Sequence, residues 1–189
     1  MNAGVNNQML WRYMSLVLLA LALMMPACDK GKNEVPQGEY KEFEGLDSQN
    51  DQRIETLKSR LFDEPQNFQL IAALGDAYFE AGRYVQAIDI YNKALAVNSS
   101  DPDCLNDLAL SYFYTGNTDK AIESVNKATT ADPAYTHAWL TKGFILLSVG
   151  RQEEAVAPLM KVKELDMGGG LSMEADSFLG QIEQMKGQK

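Results

Sequence analysis

The sequence predicts an all-α fold: an α-solenoid of three helical hairpins with a single helix closing each end. Three observations carry this. Gly75, Ala109 and Gly143 are 34 residues apart, as are Ala87, Ala121 and Ala155, and Gly82, Gly116 and Gly150. The larger apolar positions Ile71, Leu105 and Trp139 keep the same step, and so do Tyr91, Val125 and Leu159. Within each period, apolar residues recur at helical spacing in two runs with a glycine between them. A fixed period of this length marks an array of helical hairpins, each burying its apolar face against the next.

Residues 1–27 have a composition of their own, with Arg12 as their one charged side chain. Leu16 to Met25 is an unbroken apolar run, too short to span a bilayer comfortably and of the right length for the core of a signal peptide. The run ends in Met25-Pro26-Ala27-Cys28, which resembles a bacterial lipoprotein signal. That resemblance implies cleavage before Cys28, acylation of Cys28, and an extracytoplasmic location in the bacterial cell envelope, inner or outer membrane alike. Two or more acyl chains hold a protein stably to a membrane. Residues 29–47 combine glycine, proline and many charges with no apolar period, and are expected to be a flexible tether.

Residues 48–67 are expected to form an N-terminal capping helix and turn. Ile54, Leu57, Leu61 and Phe62 are read as one face, Ser48 or Asp51 offers a cap, and Pro65 precedes Leu74 by the spacing that separates Pro133 from Lys142.

Three hairpins follow at 68–101, 102–135 and 136–169. In the first, Ile71, Leu74, Tyr78 and Ala81 make one helical run, and Ala87, Ile88, Tyr91, Ala94 and Leu95 make another. The second is capped by Asp101 ahead of Pro102. Gly168-Gly169-Gly170 stops the last helix of the third hairpin. From 170 to 189 a capping helix is expected, with Leu171, Ala175, Phe178, Ile182 and Met185 in one stripe. Without it the final hairpin would expose an apolar face.

The hairpins resemble tetratricopeptide repeats. The first supplies Ile71, Leu74-Gly75, Tyr78, Ala87, Tyr91 and Ala94. The second supplies Leu105, Leu108-Ala109, Tyr112, Ala121, Val125, Ala128 and Pro133. The third supplies Trp139, Gly143, Leu146, Ala155, Leu159 and Val162. It departs from the pattern at Lys142, where leucine is expected, and at Met167, where proline is. The resemblance implies a right-handed superhelix whose first helices line a concave groove. By register that groove is lined by Gln69, Ala72, Asp76, Phe79 and Glu80 in the first repeat. Asp103, Asn106, Leu110, Phe113 and Tyr114 follow in the second. His137, Leu140, Phe144, Leu147 and Ser148 follow in the third. The family members that clamp a C-terminal carboxylate use lysine and asparagine at several of these places. Here Asn106 stands without lysine or arginine, which argues against that ligand. Two readings of the apolar members stand side by side: a groove for an apolar or amphipathic partner segment, or core covered by the capping helix.

The formal net charge is −9, and it is more negative once residues 1–27 and Arg12 are removed. That disfavours nucleic acid and anionic lipid as direct ligands and is read as an acidic soluble surface. With a single histidine, His137, and no Cys-x-x-Cys, no metal site is expected. Cys104 is expected to be a packed thiol. No cofactor motif or nucleophile–base pair is found, so the chain is expected not to be an enzyme. The function expected is a membrane-tethered scaffold that holds a protein partner for assembly, secretion or pilus biogenesis. The alternative is an accessory subunit or regulator of an envelope enzyme, and self-association stays open.

Overall fold

A computed structural model of the chain describes the backbone of residues 44–187, with side chains from residue 49. The expected signal peptide, Cys28 and most of the expected tether lie outside the described residues. Among the described residues there are eight helices and no strand: α1 (Glu44–Asp63), α2 (Phe68–Glu80), α3 (Tyr84–Val97), α4 (Pro102–Tyr114), α5 (Thr118–Ala131), α6 (Thr136–Ser148), α7 (Gln152–Leu165) and α8 (Gly170–Gly187). No described helix is long and apolar enough to cross a membrane.

The helices pair in sequence as α2 with α3, α4 with α5 and α6 with α7, and each pair stacks on the next. The first helices also touch one another, α2 with α4 and α4 with α6, and α8 joins the row against α6. The first helices therefore form a continuous inner row and the second helices an outer one.

The repeat period marks where packing is tightest. A Cβ on Gly75 would stand 2.5 Å from the Tyr91 ring, and one on Gly143 would stand 2.5 Å from Leu159. Tyr91, Val125 and Leu159 are fully buried, and so are Ala87, Ala109, Ala121 and Ala155. The hairpin turns use Gly82, Gly116 and Gly150 at φ of 69°, 77° and 79°, a left-handed conformation that a side chain disfavours.

Local details follow the sequence in most places. Asp101 Oδ1 accepts the Cys104 amide at 2.9 Å with Pro102 in the first turn of α4. Asn67 caps α2 through the Leu70 amide at 3.2 Å. Three expectations move. Phe62 is 89% exposed and lies off the face on which Ile54 and Leu57 are buried. Helix α1 begins at Glu44, inside the segment expected to be tether, so Ser48 and Asp51 lie within the helix rather than capping it. Asp51 instead pairs with Arg83 at 2.7 Å, and Arg53 pairs with Glu80, docking α1 on the first hairpin. Helix α7 ends at Leu165, before the three glycines, and Gly170 already opens α8. Asp166 Oδ2 accepts the Ser172 amide at 3.0 Å and so holds the start of α8.

The third repeat's departures also have places. Lys142 lies with its ammonium 5.5 Å from the centre of the Trp139 ring, half-buried and with its pKa lowered by burial. Met167 is 88% exposed and fills no framework role. In α8, Ala175, Phe178 and Ile182 are buried, whereas Leu171 and Met185 are half-buried at its ends.

Candidate functional site

The inner row is the candidate site. It is the face where successive first helices present residues that packing between hairpins does not dictate. Burial divides the residues placed there by register. Asn106, Leu110, Leu140 and Phe144 are sunk, at 5%, 1%, 2% and 7% exposure. Asp76, Phe79, Phe113, Tyr114, His137 and Leu147 are half-buried and keep surface. Gln69, Glu80, Asp103 and Ser148 are exposed, and Ala72 is half-buried.

The aromatic members join into a ladder along the row. Phe79 meets Tyr114 at 6.0 Å between ring centres, and Tyr84 stacks on Tyr114 at 4.7 Å. Phe113 meets Phe144 edge-on at 5.2 Å, and Phe144 meets Phe178 of α8 at 6.1 Å. Such contacts stabilise beyond the apolar area they remove from water. Helix α8 thus covers the row at Phe144, while Phe79, Phe113 and Tyr114 on the earlier repeats, and Leu147 on α6 itself, remain in reach of solvent.

At the α2–α4 end the chemistry is different. Tyr91, fully buried in α3, donates its hydroxyl to Asp76 Oδ1 at 2.9 Å. Tyr135 donates its hydroxyl to Asp103. Asn106 Nδ2 donates to Asp107 Oδ1 at 3.1 Å. Burial raises the Asp76 carboxyl to about 6; the Tyr91 bond opposes that rise, and the charges of Glu80 and Asp103 add to it while Arg53 opposes it. Asp107 is raised well above the ordinary carboxylate range, first by burial and then by Asp76 and Asp103. Carboxyls in low-dielectric surroundings with like-charged neighbours hold protons more tightly. Burial lowers the pKa of His137 against the pull of Asp103 and Asp166.

Asp107, Tyr91 and Tyr135 escaped the register argument. Asp107 follows Asn106 directly, one place off the groove-facing set. The signal available was the recurrence of aspartate at 76, 103 and 107 on neighbouring first helices, which net charge alone conceals. Among the described residues no group of His, Cys, Asp and Glu is arranged to hold a metal ion. Cys104 is buried and its thiol pKa is pushed up by burial and nearby aspartates, so it is a packing group and not a nucleophile.

Comparison with known proteins agrees with this geometry. Tetratricopeptide repeat profiles match residues 68–134 and 106–169. The small glutamine-rich tetratricopeptide repeat-containing protein 2 of Mycosarcoma maydis is 32% identical over 96 residues, which are 51% of this chain and 27% of that protein. The chain thus spans about a quarter of the length of the curated relatives it matches. The first repeat domain of Spaghetti (RPAP3), solved with the HSP90 peptide SRMEEVD, superposes with a TM-score of 0.59 at 26% identity, over 65% of this chain and 94% of that one. MamA superposes with a TM-score of 0.60 at 19% identity, over 79% of this chain and 99% of that one.

Proposed function

Residues 68–169 belong to the tetratricopeptide repeat family, and on that premise we propose that the chain is a non-enzymatic scaffold that holds a partner polypeptide on its inner row. The observation that carries this is the run of half-buried Phe79, Phe113, Tyr114 and Leu147 on the solvent side of a rigid helix row. Large apolar side chains left in reach of water on such a face suit an apolar or amphipathic segment. The HSP90 peptide bound by the RPAP3 domain carries two glutamates and a C-terminal aspartate. This chain presents Asp76 and Asp103 on its own row, so like charges would repel a ligand of that kind. Its partner is therefore of a different chemistry.

The scaffold is anchored to the bacterial cell envelope through acylated Cys28, with residues 29–43 as the tether. Support for this is the apolar run at 16–25 and the Met25-Pro26-Ala27-Cys28 boundary. Intact-mass analysis of the expressed full-length chain, with Cys28→Ser beside it, tests the anchor. Acyl mass on a chain starting at Cys28, lost in the variant, supports it; a processed chain without acyl mass removes it. Phe113→Asp tests the row. Loss of partner binding with unchanged thermal unfolding is expected. Unchanged binding, or global unfolding, would sink the groove.

A further inference from the structure

The α2–α4 end of the inner row gathers three carboxyls, with Asp76 and Asp107 half-buried and Asp103 exposed. Asp76 comes from α2, and Asp103 and Asp107 from α4. Three neutral groups donate to these carboxyls: Tyr91, Tyr135 and Asn106. Arg53, the cation whose charge reaches Asp76, makes its ion pair with Glu80. One neighbour is left incomplete. Asn106 is 5% exposed, its amide nitrogen is engaged by Asp107, and its Oδ1 is buried with no hydrogen-bond donor. A buried acceptor without a donor costs stability, so native proteins rarely leave one without a use.

We infer that this cluster is a subsite for one ammonium group, the side chain of a lysine in the partner segment, with Asp76, Asp107 and the Asn106 amide oxygen as its acceptors. The inference rests on the groove reading above and names what the groove selects. An ammonium carries three donors around a compact charge, which matches acceptors drawn from three side chains. A guanidinium is a planar fork and prefers two oxygens of one carboxylate. Asn106 Oδ1 is buried while Asp76 and Asp107 are half-buried, so the ligand reaches the amide oxygen on a thin apolar stem, which lysine has and a chain's terminal amine lacks. The adjoining Phe79 and Phe113 then receive apolar side chains flanking that lysine.

The test uses the full chain and pools of short peptides, blocked at both ends, with one fixed central residue among random alanine, leucine, serine and phenylalanine. The fixed residue is lysine, arginine, norleucine or glutamate. A further norleucine pool keeps its free N-terminal amine. Calorimetry reads affinity, and NMR reads the Asn106 side-chain amide. The lysine pool is expected to bind about tenfold more tightly than the norleucine pool and to shift the Asn106 amide signals. Asp107→Asn is expected to erase that preference, and Asp76→Asn serves the same purpose should the first variant not fold. Equal binding of the lysine and norleucine pools overturns the subsite and leaves the groove standing. Preference for arginine or for the free amine overturns the lysine assignment. Binding of no pool overturns the groove and the subsite together.

Discussion

The two ends of the inner row use the same register positions for opposite chemistry. Asp76, Leu110 and Phe144 are each 34 residues apart, yet the first holds a half-buried carboxyl and the last sits in an aromatic ladder. The positions between the two helices of each hairpin behave differently. There Gly75 stands against Tyr91 and Gly143 against Leu159, and the middle repeat has Ala109 and Val125 at the corresponding places. A gain of bulk on one helix is matched by a loss on its partner. The framework is held by close packing and changes only in compensated pairs. The inner row is free of that constraint, which leaves it open to carry specificity. Its aromatic end adds stability, and its acidic end costs some.

The largest effect should come from the aromatic end. Phe144→Ala removes the ring that links Phe113 to Phe178, and denaturant unfolding should show a loss of about 3–5 kcal/mol. Next comes the framework. Gly143→Ala alone places a methyl group 2.5 Å from Leu159 and should cost about 1–3 kcal/mol. Adding Leu159→Val copies the middle repeat's pair and should recover most of that loss. A double-mutant cycle with no recovery would break the idea of compensated pairs.

The acidic end should respond with the opposite sign. The Asp76 carboxyl is raised from 3.8 to about 6 in the folded chain. The native state therefore binds the extra proton, and stability falls as pH rises from 3.8 through about 6. Asp76 is faced by Glu80 on its own helix, Arg53 on α1, Tyr91 on α3, and Asp103 and Asp107 on α4. Asp76→Asn should raise the melting temperature at neutral pH, and the gain should vanish as pH falls toward 4 (roughly the unfolded value). Comparing variant with parent at each pH cancels the opposing contribution of His137, whose lowered pKa withdraws stability as pH falls. The smallest effect belongs to Arg83→Ala. It breaks the 2.7 Å pair with Asp51 at a partly exposed site and should cost less than about 1 kcal/mol, and less again in high salt.

The period made the hairpins legible because it is imposed by contacts between neighbours. The glycines of the three hairpin turns fall on it, and so do the Gly75–Tyr91 and Gly143–Leu159 pairs. Helix α1 was read four residues short because Glu44-Gly45-Leu46-Asp47 has no apolar period to announce it. On the inner row, register located the residues but not their depth. Leu110 and Phe113 are three residues apart on one helix, and one is sunk while the other keeps surface. That depth is set by what stands on the adjacent helices, which one helix's own period does not report. Asp107 was missed because a charge count cannot tell a solvated carboxylate from one pressed against two others.

Each hairpin touches only the hairpin before and after it. Opening can therefore start at either end and travel inward one hairpin at a time, without the whole domain letting go. At the far end the first unit to peel is α8, held by the Lys163–Asp176 pair, the Asp166 cap and Phe178. When α8 lifts, it bares the ring of Phe144 and lengthens the exposed aromatic strip by one step. The usable length of the row is thus a thermal variable. Amide exchange should be fastest in α8 and slowest in α4 and α5.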